Sequence, residues 1–346
     1  MPRSQSATTK PRELPKVVSL FCGAGGLDWG FENEGFEIPL AIDISEAAIL
    51  THARNFPAGD AITADLLKIG PAGVLREVQD RIPKRQRIGV IGGPPCQGFS
   101  RANTRALADD PRNRLPLLYL KIIKRLQTEY AVEFVILENV LGIRDAKHLH
   151  TYKSITKGLK ALGFEVYERE LCALDFGVPQ ARRRVVLIAL RPDNHGAKID
   201  IRKRSGPGTV REAIGKLKPP VYFQPGLTPD AIPLHPNHWT MKPKSKRFCN
   251  PQALRADTRS FKRLSWKLPS PTIAFGNREI HVHPDGTRRI SIYEAMLLQG
   301  FPKSFVLEGN LSQQVEQISN AVPPPLARSV ASAVRRVLAG AMHRKS

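Results

Sequence analysis

Lys16-Val-Val-Ser-Leu-Phe-Cys-Gly-Ala-Gly-Gly26 is the stretch that decides the fold. Lys16 to Phe21 is a short, mostly apolar run and reads as a buried strand. It breaks into small residues, and apolar side chains resume at Leu27, Phe31 and Phe36 as on one face of an amphipathic helix. Strand, glycine-rich turn and helix form the opening half of a βα unit in which glycines let the backbone approach a ligand. A second strand, Pro39 to Ile42, ends at Asp43, and Ser45 is placed to cap a helix through Ala47, Ala48 and Leu50.

Working outward, Ala61 to Thr63, Ile88 to Ile91, Phe134 to Leu137 and Val185 to Leu190 read as further strands. Helical segments alternate with them. The fold expected is α/β, an open and mostly parallel sheet whose ligands sit beyond the carboxyl ends of its strands. Asp43, Asp65 and Glu138 all fall at such ends. An acid about 20 residues after the glycine turn suits ribose hydroxyls. The turn alone does not choose a cofactor: NAD, FAD and S-adenosylmethionine sites share it, a plain tight turn has the same glycines, and Gly-x-Gly-Gly departs from Gly-x-Gly-x-x-Gly. Pro323 to Ala341 reads as a C-terminal amphipathic helix.

The 346 residues suffice for roughly two domains. Hydrophobic residues at 41% and charged residues at 24% argue against a disordered or fibrous chain. No apolar run approaches the roughly 18 residues of a membrane span, and Met1 to Lys16 has no apolar signal-peptide core. The expectation is a soluble, cytoplasmic protein. Lys and Arg total 53 against 31 acids, a net charge of +22 that points to a polyanionic partner. Residues 191–262 carry 15 basic and 5 acidic residues, so nearly half the excess lies in about a fifth of the chain. The same stretch is rich in Pro, Gly, Lys and Arg and reads as a small, loop-rich second domain. Cys22, Cys96, Cys172 and Cys249 lie far apart without zinc spacing, so no metal is expected. Most of them read as small buried hydrophobes.

Cys96 is different. Gly92-Gly-Pro-Pro-Cys-Gln-Gly-Phe-Ser100 follows a buried strand, and its prolines and glycines make a stiff loop that presents a thiol beside the crevice. Packing alone does not need two preceding prolines, so Cys96 reads as a nucleophile. Glu138-Asn-Val140 supplies a carboxyl group at another strand end, which could otherwise cap a following helix. In Asp175-Phe-Gly-Val-Pro-Gln-Ala-Arg-Arg-Arg184, alternation puts Gln180, Arg182 and Arg184 on one face of an extended segment.

With these residues in order, the chain resembles the bacterial C5-cytosine-specific DNA methyltransferase family over nearly its whole length. The resemblance runs through Phe21-Cys-Gly-Ala-Gly-Gly26, Asp43, Asp65, Pro94-Pro-Cys-Gln97, Asp110-Pro-Arg-Asn-Arg-Leu115, Glu138-Asn-Val140 and the Gln-x-Arg-x-Arg segment at 180–184. Arg263-Leu-Ser265, Pro271-Thr272, Leu298-Gln-Gly-Phe-Pro302 and Asn320-Ala-Val-Pro323 complete it. It implies a Rossmann-like, S-adenosylmethionine-dependent methyltransferase sheet. The catalytic domain would be residues 1–190 plus 305–346, with a target-recognition domain and connecting segment over 191–304. Implied catalytic residues are Cys96, Glu138, Arg182 and Arg184. The cofactor would be held by Phe21, Gly23, Gly26, Asp43, Ile44, Asp65, Pro94, Asn320 and Val322. Double-stranded DNA, with its target cytosine flipped out, would meet Gln97, Ser100 and Gln180, together with the cluster Trp239, Lys242, Lys244, Lys246 and Arg247. The enzyme would act as a monomer near the nucleoid, with a cognate restriction endonuclease acting separately. Tyr293 and Leu297 stand where the family commonly has Arg, and Ser319 where it has Gly.

Three other readings use the same residues. A tRNA cytosine-5 methyltransferase would share the fold, but the Cys-Phe-Thr tripeptide of that branch is missing. A DNA-binding regulator with lapsed catalysis has no need of the full catalytic set. A nicotinamide dehydrogenase has no use for Pro94-Pro95-Cys96-Gln97.

Overall fold

The computed structural model describes residues 13–95, 114–192, 199–249, 261–273 and 281–343. The first half of the chain alternates strand and helix: β1 (Lys16–Leu20), α1 (Gly26–Glu32), β2 (Leu40–Asp43), α2 (Glu46–Asn55), β3 (Asp60–Thr63), α3 (Leu66–Gln79), β4 (Arg87–Gly92), α4 (Leu115–Leu126), β5 (Ala131–Asn139), α5 (Leu149–Ala161) and β6 (Glu165–Cys172). Two further strands follow, β7 (Gln180–Ala181) and β8 (Arg183–Leu190). Seven strands form one sheet in the order β3-β2-β1-β4-β5-β8-β6. The strands from β3 to β5 are parallel, whereas β8 runs antiparallel to both β5 and β6.

Apolar layers cover both faces, which is why β1, β4, β5 and β8 are nearly unbroken apolar runs. One face packs Val18, Leu20, Val90, Val135 and Leu187 against Val74, Val78, Ile122 and Ile155 of α3, α4 and α5. The other packs Val17, Ile91, Phe134, Ile136 and Ile188 under α1 and the C-terminal helix α9 (Pro324–His343). Strand β6 was not among the strands expected. It is an edge strand whose Glu168 and Glu170 face solvent and pair with Arg144 and Arg183, so no apolar run marked it.

A further layer is built from the second half of the chain. It holds α6 (Val210–Ile214), the pair β9 (Val221–Tyr222) and β10 (Trp239–Thr240), β11 (Ser270–Pro271), α7 (Ile292–Leu298) and α8 (Leu311–Asn320). Val210, Leu264, Ile290, Met296, Phe301, Phe305, Val315 and Ile318 share a core that also takes in Ala24 and Phe56 from the sheet layer. Strand β11 pairs with β7, with Ser270 opposite Gln180. Tyr293 is buried in this layer, its ring stacked on His235 at 4.0 Å between centroids, while its backbone N–H donates to Asn237 O. Burial lowers the His235 pKa to about 4, so the ring is neutral at physiological pH, with Nε2 donating to Phe305 O and Nδ1 accepting from Asn237 N. An arginine at 293 could not stack this way without bringing an unpaired charge into the core.

Helix α9 crosses α1 closely because of two glycines. A Cβ at Gly30 would lie 2.4 Å from the backbone of Ala327, and one at Gly26 would lie 2.3 Å from Val322 O. We predict that Gly30→Ala lowers the unfolding free energy by about 1–3 kcal/mol, the usual cost of overpacking. Denaturant midpoints read this out, and an unchanged midpoint would contradict the close crossing.

Candidate active site

Strand β5 ends in Glu138 and Asn139, at the edge where β1, β2 and β4 also end. In the antiparallel register Asn139 faces Val185 and Glu138 faces Val186, so the residue just before Val185 arrives beside the carboxylate. That residue is Arg184, whose Nε lies 2.8 Å from Glu138 Oε1 in a pair that is about nine-tenths buried on each side. Burial pushes the Glu138 pKa up, while the positive charges of Arg184 and Arg182 pull it back. The result is a carboxyl group poised to hold a proton beside a fixed cation.

The loop that follows β4 passes directly over this carboxyl. A Cβ on Gly93 would lie 3.2 Å from Glu138 Oε2, and Asn139 Nδ2 donates to Pro94 O over 3.3 Å. Asn139 thus clasps the stem of the Pro94-Pro95-Cys96 loop, and its own Oδ1 accepts from Val140 N. Cys96, Gln97 and Ser100 lie outside the described residues. Cys22 is buried, and its thiol pKa is pushed well up by burial and by the negative charge of Asp28 and Asp43, which leaves it inert as a nucleophile.

Gln180, Arg182 and Arg184 are buried, and Ala181 and Arg183 between them are exposed. Arg182 is wholly buried, and its Nη2 donates to Ser319 O at 2.7 Å, which fastens the end of α8. Gln180 is equally buried and donates from Nε2 to Gln299 Oε1 at 3.4 Å. Its side chain therefore meets another part of the chain and does not stand on an open surface.

The cofactor candidates gather around the carboxyl ends of β1, β2 and β3. Phe21 adopts φ 55°, a left-handed conformation unusual for a non-glycine residue, and its ring sits 6.4 Å from that of Tyr119. Gly23, with φ 54°, has open space where a Cβ would point, whereas Gly26 is used up by the Val322 carbonyl. Asp43 accepts from Gly23 N and Ser45 N, both at 2.9 Å, and so pins the glycine turn to β2. Its pKa is raised by burial against the opposing pull of these N–H donors. Ile44 stands 66% exposed beside it. Asp65 caps α3 by accepting from Leu67 N. Pro94 and Val322 are buried, and Asn320 is exposed at the end of α8. An open glycine, a strand-end acid and an exposed apolar side chain are what an adenosine-bearing cofactor needs.

The basic cluster separates into two parts. Lys242, Lys244, Lys246 and Arg247 are exposed, with the Arg247 guanidinium over the Phe261 ring at 5.0 Å. Trp239 is buried beside Phe223 and lines an apolar cleft of about 620 Å³ with Ile232, Met241 and Leu307. Its ring is removed from the open surface that a phosphate backbone would meet. Asn139 and Gln299 are working residues that the sequence reading did not single out, although both stand inside quoted motifs.

Solved structures place this architecture in a class. An E. coli prophage protein assigned as a DNA modification methyltransferase superposes with a TM-score of 0.76 at 24% identity, covering 94% of this chain and 99% of that one. The two chains thus share a fold. The family model for C-5 cytosine-specific DNA methylase matches residues 15–336, and the chain belongs to that family. It is 32% identical over 338 residues to Type II methyltransferase M1.HphI of Haemophilus parahaemolyticus, covering 92% of this chain and 86% of that protein. It is 31% identical to Type II methyltransferase M.MthTI of Methanothermobacter thermautotrophicus, covering 94% and 99%. The protein is a DNA (cytosine-5) methyltransferase, and its family is generally S-adenosylmethionine-dependent. Among the described residues, no helix is long and apolar enough to cross a membrane.

The raised Glu138 pKa has a consequence for stability. Between the ordinary glutamate range and the raised value, the unfolded carboxyl ionises while the folded one stays protonated, so stability falls as pH rises through that window. Glu138→Gln should lose this slope. Denaturant midpoints from about pH 4 to about pH 7 check it, and parallel curves for the two proteins would refute it.

Proposed function

We propose that the protein is a sequence-specific methyltransferase of double-stranded DNA that uses Cys96 as its nucleophile and S-adenosylmethionine as its methyl donor. The observation that carries this reading is the stem of the Cys96 loop held by Asn139 over Glu138, with Arg184 paired to the same carboxyl. A target cytosine must leave the duplex to reach such a site, at a cost of a few kcal/mol. The Cys96 thiolate bonds to C6 of the flipped base, and the ring electrons move toward N3, where Glu138 holds its proton. Arg184 fixes the direction of the carboxyl group and, with Arg182, limits how far burial raises its pKa. C5 is thereby made nucleophilic. S-adenosylmethionine, when bound, supplies the electrophilic methyl group. Loss of the C5 proton to water then lets that bonding pair form the C5–C6 double bond as the Cys96–C6 pair returns to sulfur, and the N3 proton goes back to Glu138.

Phe21, Gly23, Asp43, Ile44, Asp65, Pro94, Asn320 and Val322 would hold the cofactor, with Gly26 admitting the Val322 carbonyl to the same pocket. Residues 1–190 and 305–346 would form the catalytic domain and 191–304 the target-recognition domain with its connecting segment. Gln97, Ser100 and the exposed Lys242, Lys244, Lys246 and Arg247 would face DNA. Gln180 and Trp239 would support that surface from beneath it. The Type II relatives support a restriction–modification role, with a cognate endonuclease acting separately on the same short sequence. We place the enzyme in the bacterial cytoplasm, at the nucleoid, as a monomer.

Two measurements test the reading. Labelled S-adenosylmethionine should transfer its methyl group to cytosine C5 within one short sequence of unmethylated DNA, and Cys96→Ser should lose at least about a thousandfold in rate while still binding DNA. Label on total tRNA instead of DNA would overturn it. Replacing Lys242, Lys244 and Lys246 together by Ala should flatten the dependence of log K on log salt by about one unit per lost phosphate contact. An unchanged slope would remove these lysines from the DNA surface.

A further inference from the structure

The end of α8 cannot satisfy its own backbone. Pro323, Pro324 and Pro325 follow Asn320-Ala321-Val322, so the carbonyls of Ser319, Asn320 and Ala321 have no N–H four residues on with which to bond. Ala321 also turns into an extended conformation, φ −62° and ψ 142°, which ends the helix there. Donors must come from elsewhere in the fold, and two buried side chains provide them to Ser319 and Ala321. Arg182 Nη2 takes Ser319 O at 2.7 Å, and Gln299 Nε2 takes Ile318 O at 2.7 Å and Ala321 O at 2.8 Å. Gln299 follows α7 and is wholly buried.

The orientation of the Gln299 amide is fixed by these bonds. With Nε2 facing two carbonyls, Oε1 must accept, and Gln180 Nε2 lies 3.4 Å away to donate. Gln180 stands on β7, two residues before Arg182 and four before Arg184. One amide therefore joins the arginine segment of the base pocket to the segment that carries Asn320 and Val322. No apolar side chain of similar size could do this, because it would leave two buried carbonyls without donors.

We infer that Gln299 is a positioning residue for the cofactor: it holds the Ile318–Val322 turn in the shape that closes the S-adenosylmethionine pocket. The inference rests on the cofactor site proposed above. Gln299 touches neither cofactor nor DNA in this account. Its removal should act on cofactor affinity and leave chemistry at saturation intact.

The test uses the full chain with Gln299→Met and the milder Gln299→Asn, which shortens the reach of the amide. Expected for Gln299→Met is about a tenfold rise in KM for S-adenosylmethionine and in Kd for S-adenosylhomocysteine, with kcat at saturating cofactor and KM for DNA within about twofold of wild type. Gln299→Asn should move the same constants in the same direction and speed amide hydrogen exchange at residues 318–322, so the inference stays testable if the Met variant does not fold. A fall in kcat with cofactor affinity unchanged would mean lost folded protein or an effect on the base pocket through Gln180, and either would overturn the assignment. Asn320→Ala separates the two levels. If it weakens S-adenosylhomocysteine binding while both Gln299 variants bind as wild type does, the inference fails and the cofactor site stands. If wild-type protein does not bind S-adenosylhomocysteine, the cofactor site itself is wrong and the inference falls with it.

Discussion

The site depends on the reversal of one strand. In a sheet of parallel strands, every strand begins at one edge and ends at the other, and the residues that precede a strand lie far from the ligand edge. Strand β8 breaks that rule by entering antiparallel between β5 and β6. The polar segment that leads into it, Gln180 to Arg184, is thereby delivered to the edge where β5 ends in Glu138. The apolar remainder of β8, Val185 to Leu190, packs on both faces of the sheet and fixes the register that sets Arg184 against the carboxyl group. A buried pair of this kind costs desolvation and repays it only in good geometry. Removing Glu138 would leave the Arg184 charge in the interior, and removing Arg184 would let burial raise the Glu138 pKa further.

A second constraint joins the two ends of the chain. Helix α9 packs on the sheet beside α1, which brings Val322 against Gly26 and Ala327 against Gly30. The glycine turn after β1 is thus closed on one side by residues some 300 positions away in sequence. That closure has a weak point, the proline run after Val322, and the buried donors Gln299 and Arg182 compensate for it. Arg182 consequently has two tasks. Its charge limits how far burial raises the Glu138 pKa, and its guanidinium fastens the turn at the end of α8.

Much of this was legible in the sequence wherever burial leaves a periodic trace. The strands β1, β2, β3, β4, β5 and β8, the Ser45 cap and the C-terminal helix all follow from apolar runs and capping residues. Edge strand β6 was not, because Glu165, Glu168, Arg169 and Glu170 give it the composition of a loop. The inward alternation of Gln180, Arg182 and Arg184 was readable, but not their partners: nothing local tells that Arg182 meets the carbonyl of Ser319 or that Gln180 meets Gln299. Trp239 shows the same limit. Beside Lys242 and Lys244 it reads as part of a nucleic-acid surface, yet its side chain is buried, with its ring against that of Phe223. Tyr293 is the reverse case, a departure from the family pattern that His235 accommodates by stacking.

Charge counted by segment carries the same ambiguity, and the structure divides it. Part of the excess in residues 191–262 is spent on internal pairs: Lys203 lies 3.0 Å from Asp175, Arg202 lies 3.3 Å from Asp200, and Arg204 reaches Glu34 at 3.4 Å beneath α9. Lys203 and Arg204 tie this segment to the sheet layer, Arg202 pairs within the segment, and all three charges are answered within the protein. Lys242, Lys244, Lys246 and Arg247 stand exposed, and none takes part in an ion pair among the described residues. Unanswered charge is what releases counterions when a phosphate arrives, whereas paired charge must first break its own contact. A count of basic residues therefore overstates the binding surface of this segment. Under the proposed function, the exposed 242–247 stretch, beside the buried Trp239 and Phe248, would contribute four such unanswered charges.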